Sequence, residues 1–313
     1  MTPMSAVRRV PRRLAYSLLT LIALGYAAAT VFTPLAPQAT TYGLTIDRIR
    51  ELQLSLVLLI IAVWFTALWG SLRFKRYALS IYEGADGRAL NSVTNGLLVL
   101  VTQLAVGGLL QASNKFLQHW ASPATITIVT NYVGVVLSLI AFGLIYRGAW
   151  QLAKLVQLRG FRRNQFLGFV ALALIGILYA WLLAYNPDRL HSLEPGKIVP
   201  YYLPDWLLLL TIVLPYIVVW GCGLMAVAGV RSYQRYAVGI LYRKPLERLS
   251  MGLFTIIVSL ILLQLITALG PSLVNLGLQA ILGLLYGLIL VYAAGHVLVA
   301  LGARRLAKIE EVR

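Results

Sequence analysis

Among the polar side chains within the long apolar runs of this sequence are Gln103, Gln111, Asn131, Gln264, Gln279 and His296. An amide or imidazole inside an apolar helix has two uses. It can hydrogen-bond a neighbouring helix, which contributes roughly 0.6–2 kcal/mol. It can also line a polar cavity and meet a solute there. Gln103, Asn131, Gln264 and His296 are the residues expected at such a cavity, between two halves of the chain; Gln103 and Gln264 lie in the third and seventh spans, which correspond under the repeat.

Redox and acid–base chemistry find little to work with. His296 follows Tyr292 by four residues, so the two share a helix face. A haem held by two histidines would need a second at matching depth, and His119 and His191 fall in connections. Cys222 stands between Gly221 and Gly223 with no base near it in sequence, and a thiol nucleophile needs one. A single cysteine excludes a disulfide scaffold, and three histidines with scattered carboxylates give no metal-ligand spacing. Neither a glycine-rich phosphate loop nor a serine elbow is present. The sequence therefore predicts no catalytic residue, no metal and no cofactor. Acid and base groups gather only on the connection bearing Asp188, His191, Glu194 and Asp205.

The elements that must hold these residues are apolar helices. The 313 residues are 60% hydrophobic and 12% charged, with a mean hydropathy of +0.81. Soluble domains carry about 45–50% apolar and about 25% charged residues, and disorder needs low hydrophobicity. Crossing a bilayer takes about 20 apolar residues. Eight stretches qualify: Leu14–Phe32, Leu52–Leu72, Val93–Ala112, Thr125–Tyr146, Phe166–Tyr185, Trp206–Val230, Met251–Leu269 and Leu276–Leu301. Proline and glycine punctuate the breaks, among them Pro245 and Gly270-Pro271. The fold class is an all-α polytopic transmembrane bundle. No span holds Asp, Glu, Lys or Arg between its ends. That argues against a carboxylate-driven cotransporter and against an arginine-rich voltage sensor.

Basic residues set the orientation. Of the 27 Lys and Arg, 22 fall at the N-terminus, in alternate connections and at the C-terminus. The remaining five are Arg48, Arg50, Lys115, Arg189 and Lys197. With both termini cytoplasmic, the whole net charge of +17 lies on the inner side. The first run, Leu14–Phe32, is longer than the apolar core of a secretory signal, so it reads as a retained span. A prokaryotic plasma (inner) membrane is the expected location.

The chain also reads as a duplication. Phe74-Lys-Arg76-Tyr77-Ala78-Leu-Ser80-Ile81 recurs as Tyr233-Gln-Arg235-Tyr236-Ala237-Val-Gly239-Ile240. Gly148-Ala149-Trp-Gln-Leu152-Ala153-Lys154-Leu155 recurs as Gly302-Ala303-Arg-Arg-Leu306-Ala307-Lys308-Ile309. Residues 1–155 and 156–313 are then two four-span repeats. An even number of spans in each makes them run parallel about an axis along the membrane normal. Arg76, Tyr77, Arg235 and Tyr236 are expected at the inner interface, contacting anions or anionic lipid headgroups. Gly148–Gly160 reads as a short amphipathic helix in the membrane plane, and Arg304–Val312 as a tail leaving the surface. Gly283, Gly287 and Gly295 form a strip suited to close helix packing.

Three functions compete on this reading. The first is a non-enzymatic, permease-like protein for an uncharged or lipid-like substrate. The second is a structural or accessory membrane subunit with a protein partner or a second copy. The third is an enzyme acting on lipid headgroups through Asp188, His191, Glu194 and Asp205. No cytoplasmic segment is long enough for a nucleic-acid-binding domain.

Overall fold

The computed structural model describes residues 12–31, 46–81, 83–113, 123–157, 166–168, 170, 172–177, 214–236, 240–273 and 278–311. Every regular element among them is helical. The seven long helices are α1 (Arg12–Val31), α2 (Ile46–Ser80), α3 (Ala85–Ala112), α4 (Pro123–Leu155), α5 (Leu214–Tyr236), α6 (Ile240–Leu273) and α7 (Leu278–Glu311). All seven are long and apolar enough to cross a membrane. Helices suit such runs because each backbone N–H and C=O is satisfied within its own segment. A shorter apolar helix, Phe166–Ile177, begins where a fifth span is expected. The rest of that expected span lies outside the described residues.

The helices outrun the apolar stretches at their charged ends. Gly148–Leu155 is the last part of α4, not a separate in-plane helix. Ala149, Leu152 and Ala153 are fully buried there, because they continue the inward stripe of α4 at helical spacing. Likewise 302–311 belongs to α7, with Ala303 and Leu306 buried against the bundle, so it does not leave the surface as a tail. Pro245 and Gly270-Pro271 lie inside α6 instead of breaking it. Membrane helices tolerate internal proline where neighbouring helices and side chains re-satisfy the freed backbone groups. Helix α4 closes at Val156 and Gln157, whose amides bond the carbonyls of Ala153 and Lys154.

Packing joins near neighbours and distant segments alike. The most extensive interfaces are α3 with α4 and α6 with α7. Next come α4 with α5 and α2 with α7, which tie the first part of the chain to the second. Glycines set several of these distances. A methyl group at Gly96 would run into the Ala141 carbonyl, and one at Gly148 into the Ala89 carbonyl. In the other tight pair it would come within 2.6 Å of the Gly295 carbonyl at Gly252 and within 2.8 Å of the Pro245 carbonyl at Gly302. Gly229 stands in the same relation to the Ala149 carbonyl and Gly70 to that of His296, each at 2.6 Å. Backbones this close exclude any side chain between them.

These contacts gather the basic helix ends at one end of the bundle. Leu90, Leu97 and Ile145 fill α3–α4, while Leu249, Leu253 and Ile256 fill α6–α7. Leu14, Leu18, Leu21 and Leu24 of α1 stay exposed and form the outward apolar face of that helix.

Candidate functional site

Away from the basic end the helices separate around a cavity of about 640 Å³. Six of them contribute: α1, α2, α3, α4, α6 and α7. Its walls are mostly Leu, Ile, Val and Trp. Space opens because Gly107 and Gly134 carry no side chain and a methyl group on either meets no described atom. Trp64 bounds it on another side, resting on Gly108 and standing 5.0 Å from the Tyr26 ring.

Few polar residues line this space, and two of their hydroxyls are satisfied within their own helices. Thr30 Oγ1 donates to the Tyr26 carbonyl at 2.8 Å. Ser259 Oγ lies 2.6 Å from the Thr255 carbonyl and 3.0 Å from that of Ile256. Two other polar atoms are not: Gln103 Oε1 and the Tyr292 hydroxyl are buried with no hydrogen-bond partner. An unpaired buried polar group costs about 1–3 kcal/mol, so such exceptions call for an explanation.

His296 lies one turn beyond Tyr292 along α7. Its ring meets the Tyr292 ring edge-on, with 4.8 Å between centres. It is completely buried and both ring nitrogens lack partners. Gly70 presses against its backbone. His296 is therefore behind the cavity wall and does not line it, whereas Gln103 does. Asn131 and Gln264 belong to α4 and α6, but their side chains lie outside the described residues, as do those of Gln111 and Gln279. His119, Asp188, His191, Glu194 and Asp205 also lie outside them.

The basic end holds a second set of polar contacts. The Lys75 ammonium donates to the side-chain oxygens of Asn91 and Asn95, bridging α2 and α3. Tyr233 OH donates to Asp86 Oδ2 at 3.4 Å, joining α5 to the start of α3. Arg76 is exposed while Tyr77 is buried. Arg235 and Tyr236 are both exposed. A groove beside α5 includes Arg235 but not Arg76. Gly295 packs closely on Gly252 and Ile256, whereas Gly283 and Gly287 face no described atom. Cys222 is half-buried with a free thiol.

Sequence reasoning did not single out Tyr26, Trp64, Ser259 or the Lys75–Asn91–Asn95 bridge. The bridge had a legible signal: Asn91 and Asn95 are four apart on one helix face, with a lysine at the facing end of α2. Trp64 carried none, because only packing reveals that it faces Gly108.

The architecture is that of a helical membrane bundle, with seven apolar helices among the described residues. Compared with protein-family models, curated proteins and solved structures, the chain shows no match.

Proposed function

We propose that this chain is a non-enzymatic, permease-like membrane protein whose cavity receives an uncharged or lipid-like substrate. The observation that carries this reading is the cavity itself. Its walls are mostly apolar, and among the described residues no Asp, Glu, Lys, Arg or His lines it. An ion would find no compensating charge among these residues, while an apolar body would match them.

The reading includes duplication of a four-helix unit. Its support is a repeated contact: Gly96 on Ala141 and Gly148 on Ala89 match Gly252 on Gly295 and Gly302 on Pro245. Each α3 residue is shifted by 156 positions and each α4 residue by 154. The cross-interfaces α4–α5 and α2–α7 exchange when α2 is paired with α5 and α4 with α7. The cavity then lies between the two units, where repeat-built transporters hold their substrates. Both termini are taken as cytoplasmic, in the inner membrane of a prokaryote, from the distribution of Arg and Lys.

An accessory subunit is the second reading, favoured by Gly283 and Gly287. They leave a smooth strip on α7 that no described residue covers, against which another helix could lie.

One experiment separates the two. The protein is purified from native membrane into lipid nanodiscs, and everything that co-elutes is identified by mass spectrometry. A neutral or lipid-like molecule retained by wild type and lost from Gly107→Leu and Gly134→Leu is the expected result. Retention by those cavity-filling variants, or an empty wild type, overturns the permease reading. A stoichiometric protein in place of a small molecule favours the accessory subunit.

A further inference from the structure

Where α5 and α6 meet at the basic end, a groove of about 460 Å³ is lined by Arg231, Arg235, Arg243, Gln234, Glu247 and Ser250, with Met251 at its edge. Three guanidiniums face one carboxylate, so the groove keeps a net positive charge. Gln234 closes one wall through a 3.4 Å bond from its amide to the Arg243 carbonyl. The Ser250 hydroxyl is turned to the Glu247 carbonyl at 2.9 Å. The Arg231 guanidinium is held over the Phe254 ring, 5.4 Å from its centre, a placement that fixes its position without using its N–H donors.

The corresponding place in the first half is built differently. Laying the Phe74–Ile81 motif on Tyr233–Ile240 puts Lys75 at Gln234. The matching glycine contacts put Asn91 at Glu247 and Asn95 at Met251. There the chain supplies its own cation and two amide oxygens to hold it. In the second half that cation is absent, and arginines rim an open space instead. The rim is also apolar: Met251 is 51% exposed and Phe254 40% exposed. In a membrane bundle those side chains face lipid, directly beside the guanidiniums.

We infer that this groove binds a phosphate group, and that the group belongs to an anionic phospholipid whose chains run down over Met251 and Phe254. Guanidinium pairs phosphate with two parallel hydrogen bonds, which suits Arg over Lys at such a place. The adjoining apolar rim is what distinguishes a lipid from a soluble phosphate compound. This inference stands apart from the cavity reading, and either can fail alone.

The test uses the full chain in a neutral maltoside detergent and native mass spectrometry. Palmitoyl-oleoyl-phosphatidylglycerol, its phosphatidylcholine counterpart and inorganic phosphate are the probes. Wild type should retain phosphatidylglycerol well ahead of phosphatidylcholine. Arg231→Gln with Arg243→Gln should lower that retention about twenty-five-fold, from roughly fivefold per guanidinium. Arg304→Gln with Arg305→Gln removes the same charge elsewhere on the same end and should leave retention unchanged. Met251→Glu, at an exposed rim position, provides a second variant and should also abolish the preference. Equal losses in the groove and control variants, or no preference in wild type, overturn the site. Phosphatidylglycerol held against millimolar inorganic phosphate supports the lipid. Its release by inorganic phosphate supports the anion site and assigns it to a soluble phosphate compound.

Discussion

Gly96 and Gly107 stand on the same helix, about three turns apart, yet they meet opposite surroundings. At Gly96 the backbone of α4 is so near that a methyl group would strike the Ala141 carbonyl. At Gly107 a methyl group meets no described atom. The contrast extends to the two ends of the bundle. The basic end is closed by backbone-on-backbone contacts at Gly96, Gly148, Gly229, Gly252 and Gly302 and by the Lys75 bridge. The other end is held apart around a cavity of about 640 Å³. The same residue type therefore does two jobs. At one end it lets helices touch, and at the other it leaves room for something else. Stability concentrates where the helices touch, and adaptable space lies where they part.

The largest expected effect tests the closed end. Gly148→Leu and Gly252→Leu force a side chain into backbone and should each destabilise the protein by about 3 kcal/mol or more. Thermal unfolding in detergent, followed by size-exclusion chromatography, would show loss of the monodisperse fold. Survival with an unchanged midpoint would break the comparison. His296→Phe comes next. It removes two unpaired buried nitrogens and should stabilise by about 1–3 kcal/mol, read as a raised midpoint in the same assay. A lowered midpoint would mean that the imidazole has a partner. Lys75→Met removes the ammonium from Asn91 and Asn95 and should cost about 1–2 kcal/mol. Its double-mutant cycle with Asn95→Ala should show a coupling of similar size. The smallest effect is at the open end. Gly107→Leu and Gly134→Leu should leave stability unchanged or raise it by up to about 1 kcal/mol, from improved helix propensity, while displacing whatever the cavity holds. Strong destabilisation would mean that the space is not open.

The helices were legible because hydropathy over twenty residues is a strong signal. Helix α1, described over Arg12–Val31, covers all but the last residue of the run Leu14–Phe32. The charged ends of α4 and α7 were not. Ala149, Leu152 and Ala153 make the same stripe whether they face a membrane surface or a neighbouring helix, and only tertiary packing decides. Gln103 and His296 were visible as polar residues in apolar helices, but not which one the cavity would meet. That depends on how α3 and α7 are rotated, and α7 turns Tyr292 into the space with His296 behind it. The cavity depends on glycines of α3 and α4 facing the same gap, a pairing across helices that no single-helix pattern encodes.

Four of the helices are longer than a bilayer core is thick. With 35, 33, 34 and 34 residues at about 1.5 Å each, α2, α4, α6 and α7 reach about 50 Å, against about 30 Å for the hydrocarbon core. Standing upright they rise about 20 Å beyond it in all, and the arginine-bearing turns of α4 and α7 are part of that excess. A soluble molecule arriving at this face would land on a rigid charged plinth before it reached the bilayer, and the height of that plinth would set how near it could come.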